Sequence, residues 1–141
     1  SIEEIYGEEI VGAYERKVTS FKSIILINKG GNKFEIKKLP PLAQSIPILT
    51  SETYDINDDG YEDVIVGGNI YNTEVETPRL DNQFALLLIS DKNKNYTAIG
   101  PDKSGLYLSG NTKSLKIIDR KNPKLLVAYN NSNLEVFELN K

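Results

Sequence analysis

The run Asp55-Ile56-Asn57-Asp58-Asp59-Gly60-Tyr61-Glu62-Asp63 places side-chain oxygens at its first, third, fifth and ninth positions, with a glycine at the sixth. The Tyr61 carbonyl is available at the seventh. Calcium takes six to eight oxygens at about 2.3–2.6 Å, and alternate residues of a tight loop can aim theirs at one point. Gly60 permits the sharp reversal that brings Asp63 back toward the start of the loop. The formal negative charges of Asp55, Asp59 and Asp63 repel one another without a cation, and Asn57 adds an oxygen without adding a charge. The loop is not an EF-hand, because Val66 stands where that loop needs its bidentate Glu and a strand-like D-V-I-V-G-G stands where it needs an exiting helix. The plainer alternative is an acidic Asx-type turn joining two strands with no metal.

Composition restricts the chemistry open to the rest of the chain. The 141 residues contain no His, Cys, Met or Trp, so there is no imidazole base, no thiolate and no nitrogen or sulfur ligand for zinc, copper or haem. Any bound metal is expected to be a hard, oxygen-preferring cation, Ca2+ or Mg2+. A net charge of −3 without a basic cluster argues against nucleic acid. No apolar run reaches the ~20 residues that span a bilayer. A chain that opens at Ser1 and lacks Met reads as a piece of something longer.

The elements that must carry the loop repeat. A shift of 62 residues lays Ser23–Phe34 (SIILINKGGNKF) on Ala85–Tyr96 (ALLLISDKNKNY), and Val64–Asn69 (VIVGGN) on Leu126–Asn131 (LVAYNN). Period-two and β-branched patterns predict strands at Phe21–Asn28, Lys33–Leu39, Ile48–Asp55 and Asp63–Gly67. A second set follows at Phe84–Ser90, Tyr96–Ile99, Leu115–Asp119 and Leu125–Tyr129, and Leu134–Leu139 makes a ninth. Tyr71–Asn82 and Asp102–Thr112 read as polar surface excursions. Ile2–Val18 alone has helical spacing, with Ser1 and Glu4 placed as a capping box, and Gly7 and Gly12 limit it to one or two turns. Under the same shift Asp55, Asn57, Asp59 and Asp63 become Ile117, Asp119, Lys121 and Leu125, so the second copy keeps the turn and loses the oxygens.

The expected class is therefore all-β. One domain, 1–141, comprises a leading helix or loop (1–20) and two repeat units (21–83 and 84–141). A four-stranded antiparallel unit recurring every ~60 residues suggests β-propeller-like blades, and nine strands make about two and a quarter of them. The open ends of such an arc invite pairing with another chain, unless residues 1–18 cover an edge.

The block YDINDDGYEDVIVGGN, followed by FALLLI, resembles the FG-GAP/VCBS-type repeat of integrin α-subunit propellers and of many exported bacterial proteins. Residues 20–139 are similar to the carboxy-terminal part of large VCBS-repeat proteins. This resemblance implies an extracytoplasmic propeller (periplasmic, cell-surface or secreted) with structural calcium, its ligands falling on Asp55, Asn57, Asp59, the Tyr61 carbonyl and Asp63. Asn57 departs from the usual Asp, which should lower affinity. The blade frame further implies that the chain begins with the last two strands of one blade and ends three strands into another.

The expected role is non-catalytic: binding of a protein or glycan, or scaffolding, as the remainder of a larger propeller or through self-association. The alternative is a calcium-dependent carbohydrate-active enzyme, or its accessory module, using Glu74, Glu76, Arg79 and Asp81 in the loop 74–81. Lys29-Gly30-Gly31-Asn32-Lys33 lacks Walker spacing and reads as a hairpin turn. Tyr61, Tyr71 and Tyr107 fall in loops, where they are candidates for a sugar or protein surface.

Overall fold

Among the described residues, apolar, β-branched runs bounded by Gly, Asn and Asp form nine strands. The computed structural model describes residues 1–81 and 85–140. β1 (Ile24–Asn28) and β2 (Phe34–Lys38) make a two-stranded sheet. β3 (Thr50–Tyr54), β4 (Asp63–Gly67), β5 (Ala85–Ser90) and β6 (Tyr96–Ile99) make a four-stranded sheet, and β7 (Thr112–Ile118), β8 (Lys124–Tyr129) and β9 (Glu135–Glu138) a three-stranded one. Within each sheet, strands that follow one another in sequence pair antiparallel. The two–four–three division matches the strand count that the blade frame implies. Phe84, expected to open β5, lies outside the described residues, as does the boundary between units 21–83 and 84–141. The four-stranded sheet takes β3 and β4 from the first unit and β5 and β6 from the second. A shift of 62 residues carries β1 to β4 onto 86–90, 96–100, 112–116 and 125–129, overlapping β5 to β8 in turn.

The four-stranded sheet is the middle layer. Period two sends Ile65 of β4 and Ala85 of β5 to one face, where they pack with Leu115, Ile117, Leu125 and Val127 of the three-stranded sheet. Val66, Leu86 and Leu88 point to the other face, toward Ile25 of the hairpin and the β2–β3 connection residues Leu39, Ala43 and Ile46. Burial on both faces explains why D-V-I-V-G and A-L-L-L-I are nearly continuous apolar runs. The outer layers are covered on one side only. Ile24, Leu26, Phe34 and Ile36 share the exposed face of the hairpin, and Val136 of β9 and Leu134 just before it are exposed while Phe137 and Leu139 pack inward.

The middle and last sheets also meet along the edges of β3 and β7. The Leu115 N–H donates to Thr50 Oγ1 (3.1 Å) and the Ile117 N–H to Glu52 Oε1 (3.0 Å). Lys116 pairs with Glu52 at 3.0 Å, and the Glu52 side chain is only 12% exposed.

Two expectations are corrected here. Residues 102–112 are not a surface excursion: Pro101–Ser104 forms a short helix α2 (α1 being Ile2–Tyr6) ended by Gly105 at φ 70°, and Leu106 and Leu108 beyond it are buried in the core between the sheets. Polar flanks hid an alternating L-Y-L pattern. At the other end, the Ser1–Glu4 capping box forms, but α1 and the 3₁₀ turn Gly7–Ile10 bury no side chain. Ile5 is 77% exposed, so residues 1–18 do not cover a sheet edge.

Candidate metal centre

Tyr54 and Asp63 face each other across the β3–β4 ladder, and residues 55–62 connect them. The connection folds on its own side chains. Asp55 Oδ1 accepts the Asp59 N–H at 3.1 Å and Oδ2 accepts the Gly60 N–H at 2.9 Å. Asn57 Oδ1 accepts the same Asp59 N–H at 3.2 Å, which brings oxygens of residues 55 and 57 to one point. Asp59 Oδ1 accepts the Tyr61 N–H at 2.9 Å, and its Oδ2 accepts from Asn57 Nδ2 at 3.0 Å. Asp58 at φ 57° and Gly60 at φ 86° make the reversal; a short polar residue and a glycine tolerate that region.

Asp63 behaves differently. Its side chain is fully buried at the head of β4. Oδ2 accepts the Ile56 N–H at 3.0 Å and Oδ1 the Ser90 N–H at 2.8 Å, so one carboxylate ties the start of the loop to the end of β5. Asp55, Asn57 and Asp59 are thus gathered by direct contacts, and Asp63 joins them through the backbone of Ile56. Tyr61 is 43% exposed, with its N–H turned onto Asp59.

Among the described residues no three acidic side chains converge into a set placed to hold an ion, because the carboxylates accept loop amides instead. The donor chemistry nevertheless suits calcium. Every candidate ligand is an oxygen, the donors alternate along a tight turn, and an ionised carboxylate has about four lone-pair sites, of which these bonds use only some. Asp55, Asn57, Asp59 and Asp63, with the Tyr61 carbonyl, are the residues that would hold the ion, which would supply charge neutralisation and no reactive group. The equivalent β7–β8 turn is plain: Asp119 Oδ1 accepts the N–H groups of Lys121 (3.1 Å) and Asn122 (3.3 Å), and Leu125 takes the place of Asp63 in the core.

The other candidates resolve as follows. Arg79 pairs with Asp81 at 2.9 Å and lies 3.9 Å over the Tyr71 ring, while the Tyr71 O–H donates to Asp81 at 3.2 Å. Burial, then the Asp81 carboxylate, pushes the Tyr71 hydroxyl above its ordinary range. Glu74 and Glu76 are exposed and make no ion pair among the described residues. In the 29–33 turn the Lys29 N–H donates to the Lys33 carbonyl (2.9 Å) and the Lys33 N–H to the Gly30 carbonyl (3.0 Å), which is a hairpin turn with its amides turned inward. Tyr107 is 57% exposed.

A groove of about 320 Å³ opens beside the acidic loop, bounded by Tyr61 and Glu62 on one side and by Asp91, Lys92, Lys94 and Tyr96 on the other. Of these only Tyr61 stood out in the sequence; the signal for the rest was the turn D-K-N-K-N, whose lysines alternate along the β5–β6 connection. No family model matches the chain, and no curated protein or solved structure matches it.

Proposed function

We propose that the chain is a segment of a β-propeller of the FG-GAP/VCBS type, non-catalytic, stabilised by one calcium ion in the loop 55–63, and serving an exported or cell-surface protein in binding or scaffolding. The observation that carries this reading is the 62-residue recurrence of strand positions, β1 to β4 falling on β5 to β8. Radially repeated sheets recur at such intervals and stack face to face. The exposed apolar face formed by Ile24, Leu26, Phe34 and Ile36 supports it, since a further sheet packed there would complete the stack. A non-catalytic role is favoured by Asp81 being committed to Arg79 and Tyr71, which removes it from the carboxylates that the alternative would use and leaves Glu74 and Glu76 exposed to solvent.

Calorimetric titration with calcium tests the reading. With an affinity of the weak extracellular kind, Kd about 0.1 mM, calcium at ~1.5 mM stabilises the fold by roughly 1.6 kcal/mol. Asp59→Ala removes one ligand and should weaken or abolish the heat of binding. Absence of binding to the unaltered chain at millimolar calcium overturns the metal site.

A further inference from the structure

The groove beside the acidic loop has a chemistry of its own. Its β5–β6 wall is a fixed turn: the Lys94 N–H donates to the Asp91 carbonyl at 2.8 Å, and Asp91 Oδ1 accepts the N–H groups of Asn93 and Asn95, each at 2.8 Å. The backbone N–H of Asn95, ahead of its side chain, holds the Asp91 carboxyl below its ordinary range. Lys94 is locked at φ 56°. Asp91 is thereby occupied, and among the described residues no carboxylate lies within ion-pair distance of Lys92 or Lys94. Opposite them stand the exposed Tyr61 ring and the Glu62 carboxylate. The two walls are pinned together, because Asp63 accepts the Ser90 N–H at the base.

We propose that this groove is a binding subsite for an acidic sugar, Lys92 and Lys94 meeting the carboxylate of a uronic acid unit and Tyr61 meeting the face of its ring. The volume lies at the lower end of the ~300–1,000 Å³ found for small-molecule sites and suits one sugar unit of a chain that continues outward. Two unpaired ammonium groups select a negative charge. Glu62 accepts from hydroxyls, which every uronic acid unit carries beside its carboxylate and an acidic peptide side chain does not. The subsite deepens the binding role proposed above and rests on it, but it does not depend on calcium.

The test is amide-resolved NMR titration of the whole chain in chelator with tetragalacturonate, and with maltotetraose as the uncharged probe. Tetragalacturonate should shift the amides of residues 60–62 and 90–96, weakening as salt screens exposed charges over ~10 Å at 0.1 M. Maltotetraose should not. Lys92→Ala combined with Lys94→Asn, the latter chosen because Asn tolerates positive φ, should lower affinity about tenfold, the scale of two lost exposed charge contacts. Tyr61→Ala should weaken binding further while leaving dispersion elsewhere intact. Absence of shifts at millimolar tetragalacturonate, equal binding of maltotetraose, or an unchanged affinity in the lysine variant overturns the proposal. A separate calcium titration without sugar reports on the metal loop, so failure of one leaves the other readable.

Discussion

Replacing Asp63 by Asn preserves shape and changes one acceptor oxygen into a donor. In the native chain both carboxylate oxygens are buried and each accepts a backbone N–H, from Ile56 at 3.0 Å and Ser90 at 2.8 Å. The amide can satisfy only one of them, and its NH2 then faces the other donor. A hydrogen bond to a charged group contributes about 1.5–3 kcal/mol, and a buried donor left without a partner costs a similar amount. Asp63→Asn should therefore destabilise by about 2–3 kcal/mol, or roughly 6–10 °C in Tm for a domain of this size. Asp59→Asn is the matched control: its bonds to Tyr61 and Asn57 lie in exposed loop, and a loss below about 1 kcal/mol is expected. The decisive condition is excess chelator, monitored by thermal circular dichroism. If Asp63 acts through the backbone clamp, Asp63→Asn remains destabilised without metal while Asp59→Asn approaches the unaltered chain. An Asp63→Asn variant that melts together with the unaltered chain in chelator would refute the clamp and leave Asp63 as a metal ligand only.

Glu52 gives the fold an acid-sensitive seam. Burial pushes its carboxyl up, but the Ile117 N–H and then Lys116 outweigh burial and hold it below its ordinary range. A depressed carboxyl contributes stability that is fully present above about pH 5 and is lost as pH falls through its folded value. Glu52→Gln should remove that acid sensitivity, and urea midpoints at neutral and acid pH, compared between the two chains, check it. Gly68→Ala would place a Cβ 2.2 Å from the Pro47 carbonyl oxygen and 2.7 Å from the Leu49 nitrogen, both backbone. We expect a loss above about 3 kcal/mol or failure to fold, measured as soluble yield and Tm. Deleting residues 1–18, which bury no side chain in α1 or the following turn, should leave Tm within about 2 °C and the elution volume consistent with an unchanged oligomeric state.

Strand positions were legible because both periodicity and punctuation favoured them. Asp63–Gly67 and Tyr96–Ile99 fall where alternation and turn residues place them, and Ser1–Glu4 announces the helix it caps. The Asp, Asn and Gly spacing marked the acidic loop as a tight connection between two strands, which is where it lies. What was hidden depended on partners far along the chain. Leu106 and Leu108 sit among polar residues and look like loop until the sheets on either side of them are known. Lys92 and Lys94 make an ordinary turn until the hydrogen bond from Ser90 to Asp63 brings them beside Tyr61. Asp63, a candidate ligand, has a second role in the backbone clamp, and the 62-residue shift already sets it opposite Leu125. Both positions prove fully buried, so that pairing already marked Asp63 as a core site at which a carboxylate needs amide partners.

The seam between β3 and β7 has a kinetic consequence. The Leu115 and Ile117 amides are held by the side chains of Thr50 and Glu52, and among the described residues no backbone ladder crosses from the middle sheet to the last. Rotating two side chains therefore releases those hydrogens without unzipping either sheet. In hydrogen exchange the two amides should form a faster class than β7–β8 ladder amides, and Glu52→Gln should accelerate Ile117 in particular. The polar edge along β3 and β7 can therefore open locally while the apolar core that the two sheets share stays packed.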